Sequence, residues 1–271
     1  MNNTFNINRF GLLLKRQWLD FGKVYLISLL VVVGALVGFY FYYIPSPFKE
    51  NNFDYDGNLD MRFRYPIYLI LGFLFISIVA SSYFSLLGQK SRAILELMTP
   101  ASTFEKFLSG VFYTTLVSFA SYIILFYLID LSFVKYLNMH LGEFKNTSKA
   151  SSALTVDGFF DQILSDKKYR EYCVMFFGFP FLITSIFLLG SAYFKNFHYI
   201  KTALITMVFS GFCVYVVFKA SELLTKNMYR ANYSGSEDSK NDILLGLLAA
   251  TAILTLIFWL ITYVRLKEKE V

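Results

Sequence analysis

The chain has 271 residues, of which 56% are hydrophobic and 16% charged, and a formal net charge of +6. A soluble domain of this length carries about a quarter charged residues, so this composition is short of what an ordinary water-facing surface needs. Cys173 and Cys213 both fall inside apolar runs, which excludes a disulfide framework, and His140 and His198 are too far apart for metal-ligand spacing.

The first element runs over 6–23. Ile7, Phe10, Leu14, Trp18 and Phe21 recur at spacings of three and four and share a helical face, with Arg9, Arg16, Asp20 and Lys23 opposite. The pattern predicts an interfacial amphipathic helix that turns Arg9 and Arg16 toward anionic headgroups and Trp18 toward the acyl boundary. Six apolar runs follow, at 24–44, 66–87, 107–129, 173–194, 200–218 and 243–264. Each approaches the roughly 20 residues needed to cross a bilayer. They are apolar all round, whereas core helices of a soluble protein would show a polar face. Aromatic residues gather at their ends, at headgroup depth: Tyr43, Tyr65, Tyr83, Tyr193 and Tyr263. The first run is too long for a cleavable leader and ends in no small-residue cleavage site. The expected fold is all-α: one polytopic transmembrane domain over 1–271 with six spans and the N-terminal interfacial helix.

Within the spans, Gly34 and Gly38, then Ser77, Ser81 and Ser85, then Gly246 and Ala250 place small residues four apart, a spacing that lets helices approach closely in lipid. Pro180, inside the fourth run, is expected to kink it. With both termini inside, the inner segments hold 12 of the 25 basic residues but 5 of the 19 acids, which favours cytoplasmic N- and C-termini. The outer loops, 45–65, 130–171 and 219–242, read as polar lids, and Asp130, Lys219 and Glu222 as solvated charges at span ends.

Several chemistries are excluded. The chain has no phosphate loop, dinucleotide fingerprint, zinc-protease motif or nucleophile elbow. The middle of every span lacks Asp, Glu, Lys, Arg and His, which proton relays and coupling-ion sites require. Neither an enzyme nor a cofactor or nucleic-acid binder is indicated. If the protein moves something against a gradient, the energy comes from another polypeptide.

The segment 88–106 differs from its surroundings. Ser91 can cap a short helix in which Ala93, Ile94, Leu97 and Met98 share a face, while Arg92 and Glu96 pair across one turn. Pro100 ends it. Ser102 and Glu105 then have capping-box spacing, so Ser102 should cap a new helix that runs as a rod to about residue 128, its first turns in the cytosol.

The run LMTPASTFEKFLSG resembles the segment between the second and third spans of bacterial ABC-2 type permeases. The amphipathic first helix, the six spans and the basic tail YVRLKEKEV are similar too. The resemblance implies a half-transporter in the bacterial cytoplasmic membrane that forms a homo- or heterodimer and binds separate ABC ATPase subunits. Arg92, Ile94, Glu96, Leu97, Met98 and Glu105 are then the residues that contact the ATPase. The other reading is a membrane scaffold or sensor that anchors partner proteins and transports nothing.

Overall fold

A chain in lipid has no water for its amides, so each segment must close its own backbone hydrogen bonds. The computed structural model describes residues 5–45, 59–85, 98–144, 156–165, 170, 177–225 and 237–270, and its regular elements are helices. In chain order they are α1 (Ile7–Tyr42), α2 (Arg64–Tyr83), α3 (Thr103–Val111), a π-helical stretch (Phe112–Val117), α4 (Ser118–Phe144), α5 (Phe159–Ser165), α6 (Gly178–Tyr193), α7 (His198–Thr225) and α8 (Glu237–Glu270).

Among the described residues, five helical stretches are long and apolar enough to cross a membrane: Ile7–Tyr42, Arg64–Tyr83, Thr103–Gly142, His198–Val216 and Leu245–Lys269. The fourth expected span is represented by α6, whose 16 residues rise about 24 Å, less than a hydrocarbon core of about 30 Å. Residues 173–176 of that span lie outside the described residues. Pro180 is the third residue of α6 as described, where its missing N–H takes no hydrogen bond from the ladder.

The chain forms two compact units. One comprises Met1–Leu13, Ala80–Gly110 and Met175–Val271; the other comprises Leu14–Val79 and Val111–Val174.

α1, of which Leu14–Tyr42 belongs to the second unit, differs from its expected form. No break separates an interfacial helix from a span, since α1 is one 36-residue helix. Nothing between Phe21 and Val24 stops a helix; Gly22 alone costs too little. The buried side also differs. Gln17, Phe21, Tyr25, Val32, Leu36 and Tyr40 face inward, while Trp18 remains 38% exposed. The core of this unit is aromatic, with Tyr40 against Phe133 at 4.8 Å between ring centroids, Tyr68 against Phe126 at 4.8 Å and Phe126 against Phe159 at 5.0 Å. Gly72 is required here, because an added Cβ would come within 2.8 Å of the Tyr122 ring.

The rod expected from residue 103 is interrupted by the π-helical stretch. A wide turn leaves carbonyls out of register, and hydroxyls answer them. Ser118 Oγ donates to the Tyr113 carbonyl at 2.8 Å, five residues back, and Ser121 Oγ donates to that of Val117. Tyr113, carried on this stretch, donates its hydroxyl to the Leu14 carbonyl at 2.9 Å, with Trp18 stacked on its ring. The run FYTTLVSFAS gives no periodic sign of such a turn.

In the first unit, α6 packs on α7 and α8 through small residues. Gly190 lies against Thr202 and Gly178 against Thr251, so closely that a Cβ at either position would overlap the threonine. Thr184, Ser185, Ser191 and Ala192 are buried in the same helix. By contrast, an added Cβ at Gly34, Gly38 or Gly246 meets nothing within 4 Å.

Candidate functional site

Two helices begin close together in the first unit, and one carboxylate serves both. Asn6 precedes α1, and its Oδ1 accepts from the backbone N–H of Asn8 at 3.0 Å and of Arg9 at 3.4 Å. Ser102 precedes α3, and its Oγ accepts from the backbone N–H of Glu105 at 3.2 Å. Glu105 Oε2 accepts in return from the Ser102 N–H at 2.9 Å, so the two residues form a capping box. The other oxygen, Oε1, accepts from the Asn6 N–H at 3.0 Å.

Arg9 completes the group. Its Nη2 donates to Glu105 Oε1 at 2.7 Å and its Nε to Oε2 at 2.8 Å, a two-pronged pairing that fixes the carboxylate plane. The Glu105 side chain is fully enclosed. Each helix N-terminus carries partial positive charge from its unpaired N–H groups. Glu105 thus neutralises two helix ends and one guanidinium at once. Phe5 packs edge-on to Phe104 at 6.3 Å, and Phe104 and Phe107 meet Tyr263 of α8 at 6.3 and 5.9 Å.

This geometry changes the roles expected of two residues. Glu105 cannot offer its carboxylate to an external partner, since all of it is engaged inside the unit. Arg9 turns to Glu105 rather than out to headgroups. Of the other expected contact residues, Arg92, Ile94, Glu96 and Leu97 lie outside the described residues. Met98, four residues before Ser102, is described and is 76% exposed. Arg16 is half-buried, and Trp18 packs between Tyr113 and Tyr25.

A second charged cluster lies in the second unit. Arg64, at the first position of α2, and Asp130, in α4, are each 2% exposed and pair at 3.2 Å. Asp130 also accepts from the Tyr40 hydroxyl at 2.8 Å and from the Phe159 N–H at 2.7 Å. Arg64 Nη1 donates to the Asp157 carbonyl at 3.1 Å and Nη2 to Gln162 Oε1 at 3.2 Å. Asn138 exchanges two further bonds with the backbone of Val156, at 3.1 and 3.2 Å. Asp130 is therefore not a solvated charge at a span end. It is the centre of a buried network that holds the segment 156–165 on α1, α2 and α4. The sequence held one hint: a base just before one apolar run and an acid at the end of another can meet at the same depth on antiparallel helices.

Compared with known proteins, the chain matches no family model, no curated protein and no solved structure.

Proposed function

We propose that the chain is the membrane-spanning permease subunit of an ABC exporter, driven by separate ATPase subunits that grip the segment 91–98. In this reading it works as a homo- or heterodimer in the bacterial cytoplasmic membrane, with both termini in the cytosol. One observation carries the proposal: the Glu105 carboxylate joins the start of α1 to the start of α3. A displacement applied at the exposed Met98 reaches Ser102 within four residues. Through the capping box it moves α3, and through Arg9 and Asn6 it moves α1. The starts of two helices then respond to a single push. The absence of charge from the middle of the apolar runs supports an outside source of energy.

The test is purification of tagged full-length protein in mild detergent, followed by identification of what accompanies it. An ATPase with a phosphate loop is expected, and Ile94→Asp or Leu97→Asp should reduce its recovery while the permease stays expressed and inserted. Recovery of no ATPase, or equal recovery with both variants, favours a scaffold and refutes the coupling role.

A further inference from the structure

The connection between α6 and α7 is only four residues long, 194–197, and it joins two apolar helices, so it lies at a membrane face. The C-terminal turns of α8 reach the same place. Arg265 holds its guanidinium 5.0 Å from the centroid of the Tyr193 ring, at the end of α6. Lys201, in the first turn of α7, holds its ammonium 5.7 Å from the Phe194 ring. Lys195 follows Tyr193 by two residues and Lys269 follows Arg265 by one helical turn of α8, so both flank that contact.

Few acids answer these cations. Glu268 pairs with Arg265, its neighbour on α8. Arg265 Nε is buried without an acceptor among the described residues. Neither Lys195 nor Lys269 has an ion pair with any described acid. Convergence of like charges disfavours folding unless an anion offsets it. Phe197 adds a second feature. It takes a left-handed backbone angle, φ 53°, uncommon for a bulky residue, and its ring is 73% exposed. An aromatic ring beside lysines at a short connection suits the headgroup layer, with the ring among upper acyl carbons and the ammoniums at phosphate level.

We infer that Lys195, Arg265 and Lys269 form a binding site for the phosphate headgroup of an anionic phospholipid, with Phe197 seated beside it in the bilayer. The inference rests on the chain spanning a membrane, and it holds whether or not the protein is a transporter. A lipid is preferred to a soluble anion because the site lies at the end of three apolar helices, where anionic headgroups are concentrated.

The test uses the purified full-length protein in a maltoside detergent. It is heated with dioleoylphosphatidylglycerol, dioleoylphosphatidylcholine or inorganic phosphate, and the fraction remaining monodisperse is measured. Phosphatidylglycerol is expected to raise the midpoint by about 3 °C at ten times its dissociation constant, through selective binding to the folded state. Phosphatidylcholine and phosphate should leave it in place. K195Q/K269Q should lose most of that rise while keeping its midpoint in phosphatidylcholine, and K195R/K269R should keep the rise. K15Q/K23Q, which removes exposed charges from α1, should also keep it. The inference is overturned by equal shifts from the two lipids, by a phosphate shift as large as that of phosphatidylglycerol, or by equal losses in K15Q/K23Q and K195Q/K269Q. If K195Q/K269Q does not fold, K195Q alone, at an exposed position, must lose about half of the rise, and an undiminished rise overturns the inference just as well.

Discussion

Replacing Asp130 by asparagine keeps the shape of the side chain and removes its charge. Arg64 then stays 2% exposed with the Met61 and Asp157 carbonyls and Gln162 Oε1 as its described neutral acceptors. Deleting one partner of a buried ion pair costs about 3–5 kcal/mol. Because three neutral acceptors remain, the lower end applies, about 3 kcal/mol. Asparagine can still accept from the Phe159 N–H with its oxygen, but its amide group must then face the Arg64 donor at the 3.2 Å position. Tyr40→Phe removes a single hydrogen bond to a charged acceptor and should cost about 1.5 kcal/mol. At roughly 2–4 °C per kcal/mol, Asp130→Asn lowers the midpoint of thermal denaturation in detergent by about 6–12 °C. Adding Arg64→Met to Asp130→Asn removes the stranded guanidinium and should restore about half of that loss. Strict additivity of the two substitutions would refute the network, because it would mean that Arg64 and Asp130 are not coupled.

Gly190→Ala should be worse than Gly178→Ala. At Gly190 the new Cβ lies 2.8 Å from both Cβ and Cγ2 of Thr202, so no rotamer of that threonine relieves it and overpacking costs about 1–3 kcal/mol. At Gly178 the carbon atoms of Thr251 stand 3.2 and 3.9 Å away, and rotation of the hydroxyl suffices, so its midpoint should fall less in the same thermal assay. Ser102→Ala removes the acceptor of the Glu105 N–H and should cost about 1 kcal/mol, seen as faster amide exchange in the first turn of α3, while Ser102→Asp should retain protection. An added Cβ at Gly34 or Gly38 meets nothing within 4 Å among the described residues, so Gly34→Leu with Gly38→Leu should leave monomer stability unchanged, and a loss of the proposed dimer on size-exclusion with light scattering would place the pair between subunits.

Helical class and the positions of most apolar stretches were legible in the sequence, because bilayer thickness imposes a length that hydropathy reports directly. The start of α3 was legible for a local reason: Ser102 and Glu105 need only each other, three residues apart, to close a capping box. What escaped depended on distant partners. Glu105 has one carboxylate, and nothing near it in sequence shows that Asn6 and Arg9, almost a hundred residues earlier, take its remaining capacity. Asp130 looked like a charge at the end of a span because its partners come from three other stretches of chain. The continuity of α1 is hidden in the sequence because its polar first turns and apolar later turns differ in composition but not in helix propensity. The π-helical turn leaves no periodic mark, since one extra residue per turn over six residues is too short a signal.

The coupling role is tested most directly at Met98, the one expected ATPase-contact residue that is both described and exposed, at 76%. A photoreactive benzoylphenylalanine is placed there in full-length protein and irradiated in living cells, with a control at Met139, 70% exposed near the C-terminal end of α4. Crosslinked products are identified by mass spectrometry. A covalent adduct is expected between position 98 and an ATPase carrying a phosphate loop, and no such adduct from position 139. An adduct of 98 with lipid or membrane proteins alone, or the same ATPase captured from 139, would contradict it.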